Sequence, residues 1–125
     1  MTQLSLLAHD GRTRQTSTND EYDVYAGRPR GGREPRDVPI GAPGWLGNSH
    51  PLDRTCPRCR VWHTPEESHA LFHADFLGRV GTDAAFRAAV LALATRRIGC
   101  PGCVTGAPLC HVRVIVDWIE RVRCA

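Results

Sequence analysis

The chain has 125 residues, 42% of them hydrophobic, and its 16 basic and 13 acidic residues leave a formal net charge of +3. That length suits one domain, and so weak a positive charge does not by itself argue for a nucleic-acid partner. No apolar run approaches the roughly 18 residues that span a bilayer, and Leu4-Ser5-Leu6-Leu7-Ala8 is too short for a secretory signal, so a cytoplasmic protein without a membrane partner is expected.

All the basic residues are arginine, as a GC-rich genome would encode them. A guanidinium also grips phosphate bidentately, where lysine acts only as a point charge.

Residues 1–20 are polar and end in the turn-prone run Thr16-Ser17-Thr18-Asn19-Asp20, which reads as a flexible arm. The alternating segment Tyr22-Asp23-Val24-Tyr25-Ala26 suits a strand. Residues 27–48 are crowded with Gly, Pro and Arg, so a long loop is expected there. That leaves roughly 75 residues to build a core, a size at which a structural metal often supplements thin packing.

Thr64 caps a helix from Pro65 to about Gly78, with Pro65 at the first helical position and Glu67 completing a capping box. Leu71, Ala74 and Leu77 form its stripe, with Phe72 and Phe76 beside it. A second helix, capped by Thr82, is predicted from Asp83 to about Ala94, burying Phe86, Ala89, Val90 and Leu93. Arg97-Ile98-Gly99 reads as a brief strand. The last helix spans His111 to Arg123, its stripe made by Val112, Ile115, Val116 and Ile119. The expected class is α/β: a small single domain with a short sheet and two or three packed helices.

Two Cys-Pro-x-Cys turns, Cys56-Pro57-Arg58-Cys59 and Cys100-Pro101-Gly102-Cys103, carry the clearest chemistry. Two residues between thiols let one tight turn present both sulfurs to a metal, so Cys56, Cys59, Cys100 and Cys103 are the predicted ligands of one structural zinc ion. In a variant, His63 or Cys110 replaces one thiol. A closed cage has no position for a reactive water and stabilises without catalysing. Disulfides or a redox pair are the competing reading of the same thiols.

Other residues allow further chemistry. Cys110 and His111 stand at the start of a helix, where the macrodipole favours a thiolate, which makes them candidates for catalysis or ligand contact. Arg28 and Asn48 lie in Gly-containing turns whose backbone N–H groups suit a phosphate or carboxylate. His69 and His73, spaced i and i+4, share a helix face and read as partly buried histidines sooner than metal ligands. Arg30, Arg33 and Arg36, with Arg12 and Arg14, read first as solvated charge and second as phosphate-backbone contacts.

The order Tyr25-Ala26-Gly27-Arg28, Trp45-Leu46-Gly47-Asn48 with Pro51, a capped helix carrying Phe72 and Phe76, Ile98-Gly99-Cys100, and Pro108-Leu109-Cys110-His111 before an apolar helix resembles a small family. That family is known as domain of unknown function 4326 and is found in bacteria and their phages. The likeness covers roughly residues 22–123. The family usually carries Cys-Trp-Cys where this chain has Cys100-Pro101-Gly102-Cys103, and Gly-Asn-Pro-aromatic where it has Gly47-Asn48-Ser49-His50-Pro51-Leu52. The Cys56–Cys59 knuckle and the arginine loop look like insertions. The resemblance implies an architecture and no assigned activity.

Two functions of different class follow. One is an enzyme or binding domain for a nucleotide or other phosphate-bearing ligand, with Arg28 and Asn48 on the anion and Cys110 and His111 near the reacting centre. The other is a non-catalytic, zinc-stabilised module that contacts nucleic acid or protein through its arginines. The first requires Arg28, Asn48 and His111 to line one pocket; the second requires exposed arginines on a convex face.

Overall fold

A computed structural model of the chain describes residues 12–16, 22–29, 31, 33–52, 54–100 and 110–125. Three short strands, β1 (Arg14–Thr16), β2 (Val24–Tyr25) and β3 (Arg97–Gly99), form a parallel sheet in the order β1-β3-β2. Gln15 and Val24 both face Ile98 across the ladder, so β3 is the central strand. Among the described residues, three helices complete the fold: α1 (Pro65–Thr82), α2 (Ala84–Leu91) and α3 (His111–Arg123). The α/β class and small single-domain size predicted above are what the structure has.

β1 falls within the stretch expected to be an arm. Its backbone finds partners at the edge of β3, and Thr13 anchors it by donating through both N and Oγ1 to Glu120 of α3 (3.2 and 2.8 Å). A three-residue strand has no sequence signal of its own and exists only because β3 presents an unpaired edge. Residues 1–11 and 17–20 lie outside the described residues.

α1 starts as predicted: Thr64 Oγ1 accepts from Glu67 N, and Glu67 returns the bond to Thr64 N at 2.9 Å. Its buried face is nonetheless Ser68, Phe72, Phe76 and Val80, and Leu77 is 39% exposed. Both stripes recur at helical spacing. The one carrying two phenyl rings is turned inward because each ring removes more apolar area from water than a leucine. α2 is capped by Asp83, whose carboxylate accepts from Phe86 N, while Thr82 donates to Gly78 O.

α3 is the hub of the core. Val112, Ile115, Val116, Trp118 and Ile119 are buried, as its apolar stripe requires. Phe76 meets Trp118 edge-on at 5.7 Å between centroids, Phe86 packs edge-on to both Phe76 and Trp45, and Phe72 stacks beside Phe76. The long loop is part of this core: Val38, Trp45 and Leu46 are buried, and a 3-10 turn covers Pro35–Asp37. Gly44 makes the fold-back possible, with φ +101 and Pro29 so close that any Cβ would collide with it.

Candidate metal centres

The first centre is built around the knuckle. Cys56 N donates to Val61 O and Arg60 N to Cys56 O, both at 2.8 Å, closing the turn that carries Cys56 and Cys59. Arg60 takes φ +65 to complete it. Two imidazoles meet these thiols: His63, just ahead of α1, and His50, from the turn after the long loop. One ligand atom from each of His50, Cys56, Cys59 and His63 lies within 4.8 Å of all the others.

Hydrogen bonding determines the tautomer of His50. Its Nε2 is 2.8 Å from Asp75 Oδ2, a carboxylate that only accepts, so Nε2 carries the proton. Nδ1 then offers its lone pair to the thiols, 3.5 Å from Cys56 Sγ and 3.6 Å from Cys59 Sγ. Ligands on a tetrahedral zinc, with Zn–S about 2.3 Å and Zn–N about 2.0–2.1 Å, stand ~3.6 Å apart. The observed separations have that value.

His63 supplies the second sign. It is 6% exposed, and neither ring nitrogen has a hydrogen-bond partner; Glu67 Oε1, at 3.6 Å from Nδ1, is too distant. A buried, unpartnered imidazole is costly, and a cation at the centre of the group removes that cost. Desolvation, with help from the Cys56 thiol, raises the Cys59 thiol above its ordinary value. Donor set, spacing and unpartnered nitrogens all fit a zinc-type ion.

A supporting frame holds His50. Asn48 Nδ2 donates to Ser68 Oγ (2.9 Å), Asn48 Oδ1 accepts from His50 N (2.9 Å), and buried Ser68 donates to His50 O (2.6 Å). Arg58 Nη1 donates to the same Asp75 oxygen at 2.9 Å.

The second group comprises Cys100, Cys110 and His111, again with ligand atoms within 4.8 Å of one another. Cys100 follows β3, Cys110 is the residue before α3, and His111 opens that helix. A hydrogen bond from the Cys100 thiol, ahead of one from His111, pushes the Cys110 thiol down to about 3 against the opposing effect of burial.

Among the described residues, the thiols expected to share one cage fall into two groups. Cys56 and Cys59 gather with two histidines, whereas Cys100 gathers with Cys110 and His111. Cys103 lies outside the described residues. The knuckle meets imidazoles from its own flanks, so it does not draw on the thiol after β3. His63 was a candidate replacement ligand; His50 was missed, and its only signal was an imidazole six residues ahead of a Cys-Pro-x-Cys. The cysteines at 56, 59, 100, 110 and 124 form no disulfide.

The remaining candidates are dispersed. Asn48 has both ends of its amide engaged in bracing His50. His111 is buried, with Nε2 2.6 Å from Ala26 O. Arg28 is exposed, and its carbonyl accepts from Tyr25 Oη. A cleft of about 410 Å³ opens beside the first centre, and Arg28, Asn48, Cys110 and His111 are not among its lining residues. Arg36, Arg58 and Arg79 line it together with Trp45, Phe72, Phe76 and Phe86. His69 and His73 join neither ligand group. No helix among the described residues is long and apolar enough to cross a membrane.

Comparison with protein-family models, curated proteins and solved structures found no match. The likeness to domain of unknown function 4326 rests on the sequence motifs alone.

Proposed function

We infer that this chain is a zinc-stabilised domain that binds a phosphate-bearing ligand, with His50, Cys56, Cys59 and His63 closing around the ion. The observation that carries the zinc assignment is His63: a buried imidazole with no hydrogen bond at either nitrogen, set beside a His50 Nδ1 at ligand-to-ligand spacing from two thiols. Four protein ligands leave no position for substrate or water, so the ion holds the knuckle onto α1 and takes no part in a reaction. The cleft next to it supports the ligand class. Three guanidinium groups outnumber the two carboxylates of Asp75 and Asp83 there, and Arg79 is stacked on the Phe86 ring at 4.0 Å. Aromatic walls with guanidinium donors suit a nucleotide.

Elemental analysis of purified protein tests the metal, with loss of a zinc equivalent in Cys59→Ser as the expected result. A thermal-shift series with nucleoside mono-, di- and triphosphates tests the ligand, because binding raises apparent stability by mass action. Arg36→Ala should abolish the shift while zinc content stays unchanged.

The alternative, a nucleic-acid-binding module, is favoured by one feature. Trp62 is 62% exposed at the knuckle, two residues from exposed Arg60, and a bare indole beside a cation suits base stacking. Single-stranded DNA binding lost in Trp62→Ala, with a flat nucleotide screen, would select that reading.

A further inference from the structure

The second cysteine–histidine group has a geometry of its own. His111 Nε2 lies 2.6 Å from the carbonyl of Ala26. A carbonyl only accepts, so Nε2 bears a proton there and Nδ1 is the nitrogen left for a second partner. This is the arrangement by which a metal-binding histidine is oriented: one nitrogen donates to a fixed backbone oxygen and the other faces the ion. The ring is held from the side as well, edge-on to Phe72 at 5.0 Å between centroids.

Each contributor stands on a rigid element. Ala26 is fully buried and its N donates to Gly99 O at 2.7 Å, which continues the β2–β3 ladder. Cys100 follows Gly99 directly, and Cys110 and His111 begin α3, the most buried helix. Cys110 and His111 are 7% and 9% exposed. The end of β3 and the start of the core helix thus present two sulfurs and a ring nitrogen to one point.

We propose that Cys100, Cys110 and His111 form a second metal site, separate from the knuckle, which takes a zinc-type divalent cation on two thiolates and one imidazole. Two thiolates neutralise the dication, so a nearly dry position costs little in charge burial. The ion clamps the start of α3 to the central strand, a part of the fold that the knuckle ion does not reach. Binding releases the thiol protons to solvent and involves no change of oxidation state.

Zinc content and free thiols are to be measured for the wild-type chain, Cys59→Ser and Cys100→Ser. Two equivalents are expected in the wild type and one in each variant. One equivalent that survives in Cys100→Ser and vanishes in Cys59→Ser overturns the second site and leaves the first intact. One equivalent lost in both variants also overturns it, by returning all the thiols to a shared cage. A Cys100–Cys110 disulfide in non-reducing mass spectrometry of freshly purified protein has the same force. If Cys100→Ser does not fold, cobalt substitution of the wild type decides. Thiolate-to-cobalt charge-transfer absorption should rise through two equivalents, and saturation at one rules the site out.

Discussion

His50 and Asp75 meet at 2.8 Å, and the same carboxylate oxygen accepts from Arg58 at 2.9 Å. One oxygen thus orients a candidate metal ligand on one side and holds an arginine of the cleft wall on the other. The proposed ion and the proposed ligand site therefore share Asp75, which lines the cleft and stands behind the histidine without being one of the four candidate ligands.

Asp75→Asn should weaken zinc binding about 10–100-fold, the usual cost of losing a carboxylate behind a ligating histidine. Competition against a chromophoric chelator measures it. An unchanged affinity would show that the contact does not orient the ring.

Asn48→Ala should lower zinc affinity and leave nucleotide binding to the folded holoprotein unaltered. The amide braces the His50 turn through Ser68 and faces no ligand, so its loss loosens a metal ligand. A selective loss of nucleotide affinity at full zinc occupancy would restore the role that its Gly-Asn turn suggested.

Chelation should produce a large drop in melting temperature, because the ion binds only the folded chain. At a free zinc concentration a thousandfold over Kd, linkage contributes about 4 kcal/mol. Acid should do the same, since protons compete for the thiolates and imidazoles. A melting curve indifferent to chelator would argue against both centres.

The hydrogen bond from the Arg97 side chain, ahead of that from its backbone, lowers the Asp23 carboxyl below its ordinary 3.8. A depressed folded-state value means that this contribution is complete above the unfolded value and fades as pH falls through the lower folded one. Asp23→Asn should remove that acid-dependent part of the stability profile, as read by urea denaturation from pH 5 down to pH 2.5.

Thr95 takes φ +70, a conformation costly for a β-branched residue, at an exposed position. Thr95→Asn keeps the backbone N–H that donates to Thr13 Oγ1 and suits that conformation better. It should stabilise the chain by about 0.5–1 kcal/mol, seen as a higher denaturation midpoint.

Local chemistry was legible in the sequence. The Thr64–Glu67 capping box, the bounds of β3, the span and stripe of α3 and the gathering of Cys56 and Cys59 in one candidate ligand group each depend on residues close in the chain. Distance along the chain hid the rest. Phe72–Phe76 and Leu71–Leu77 have equal claims to be an inner face until Trp118 and Phe86 select one. Arg14–Thr16 becomes a strand only when β3 offers its edge. A Cys-x-x-Cys turn sets where two sulfurs point, but the donors that complete the sphere come from whatever the fold delivers to that spot. Here the long loop delivers His50 to the knuckle, and the Ala26 carbonyl turns His111 toward the other thiols, so ligand partnership was decided by tertiary structure.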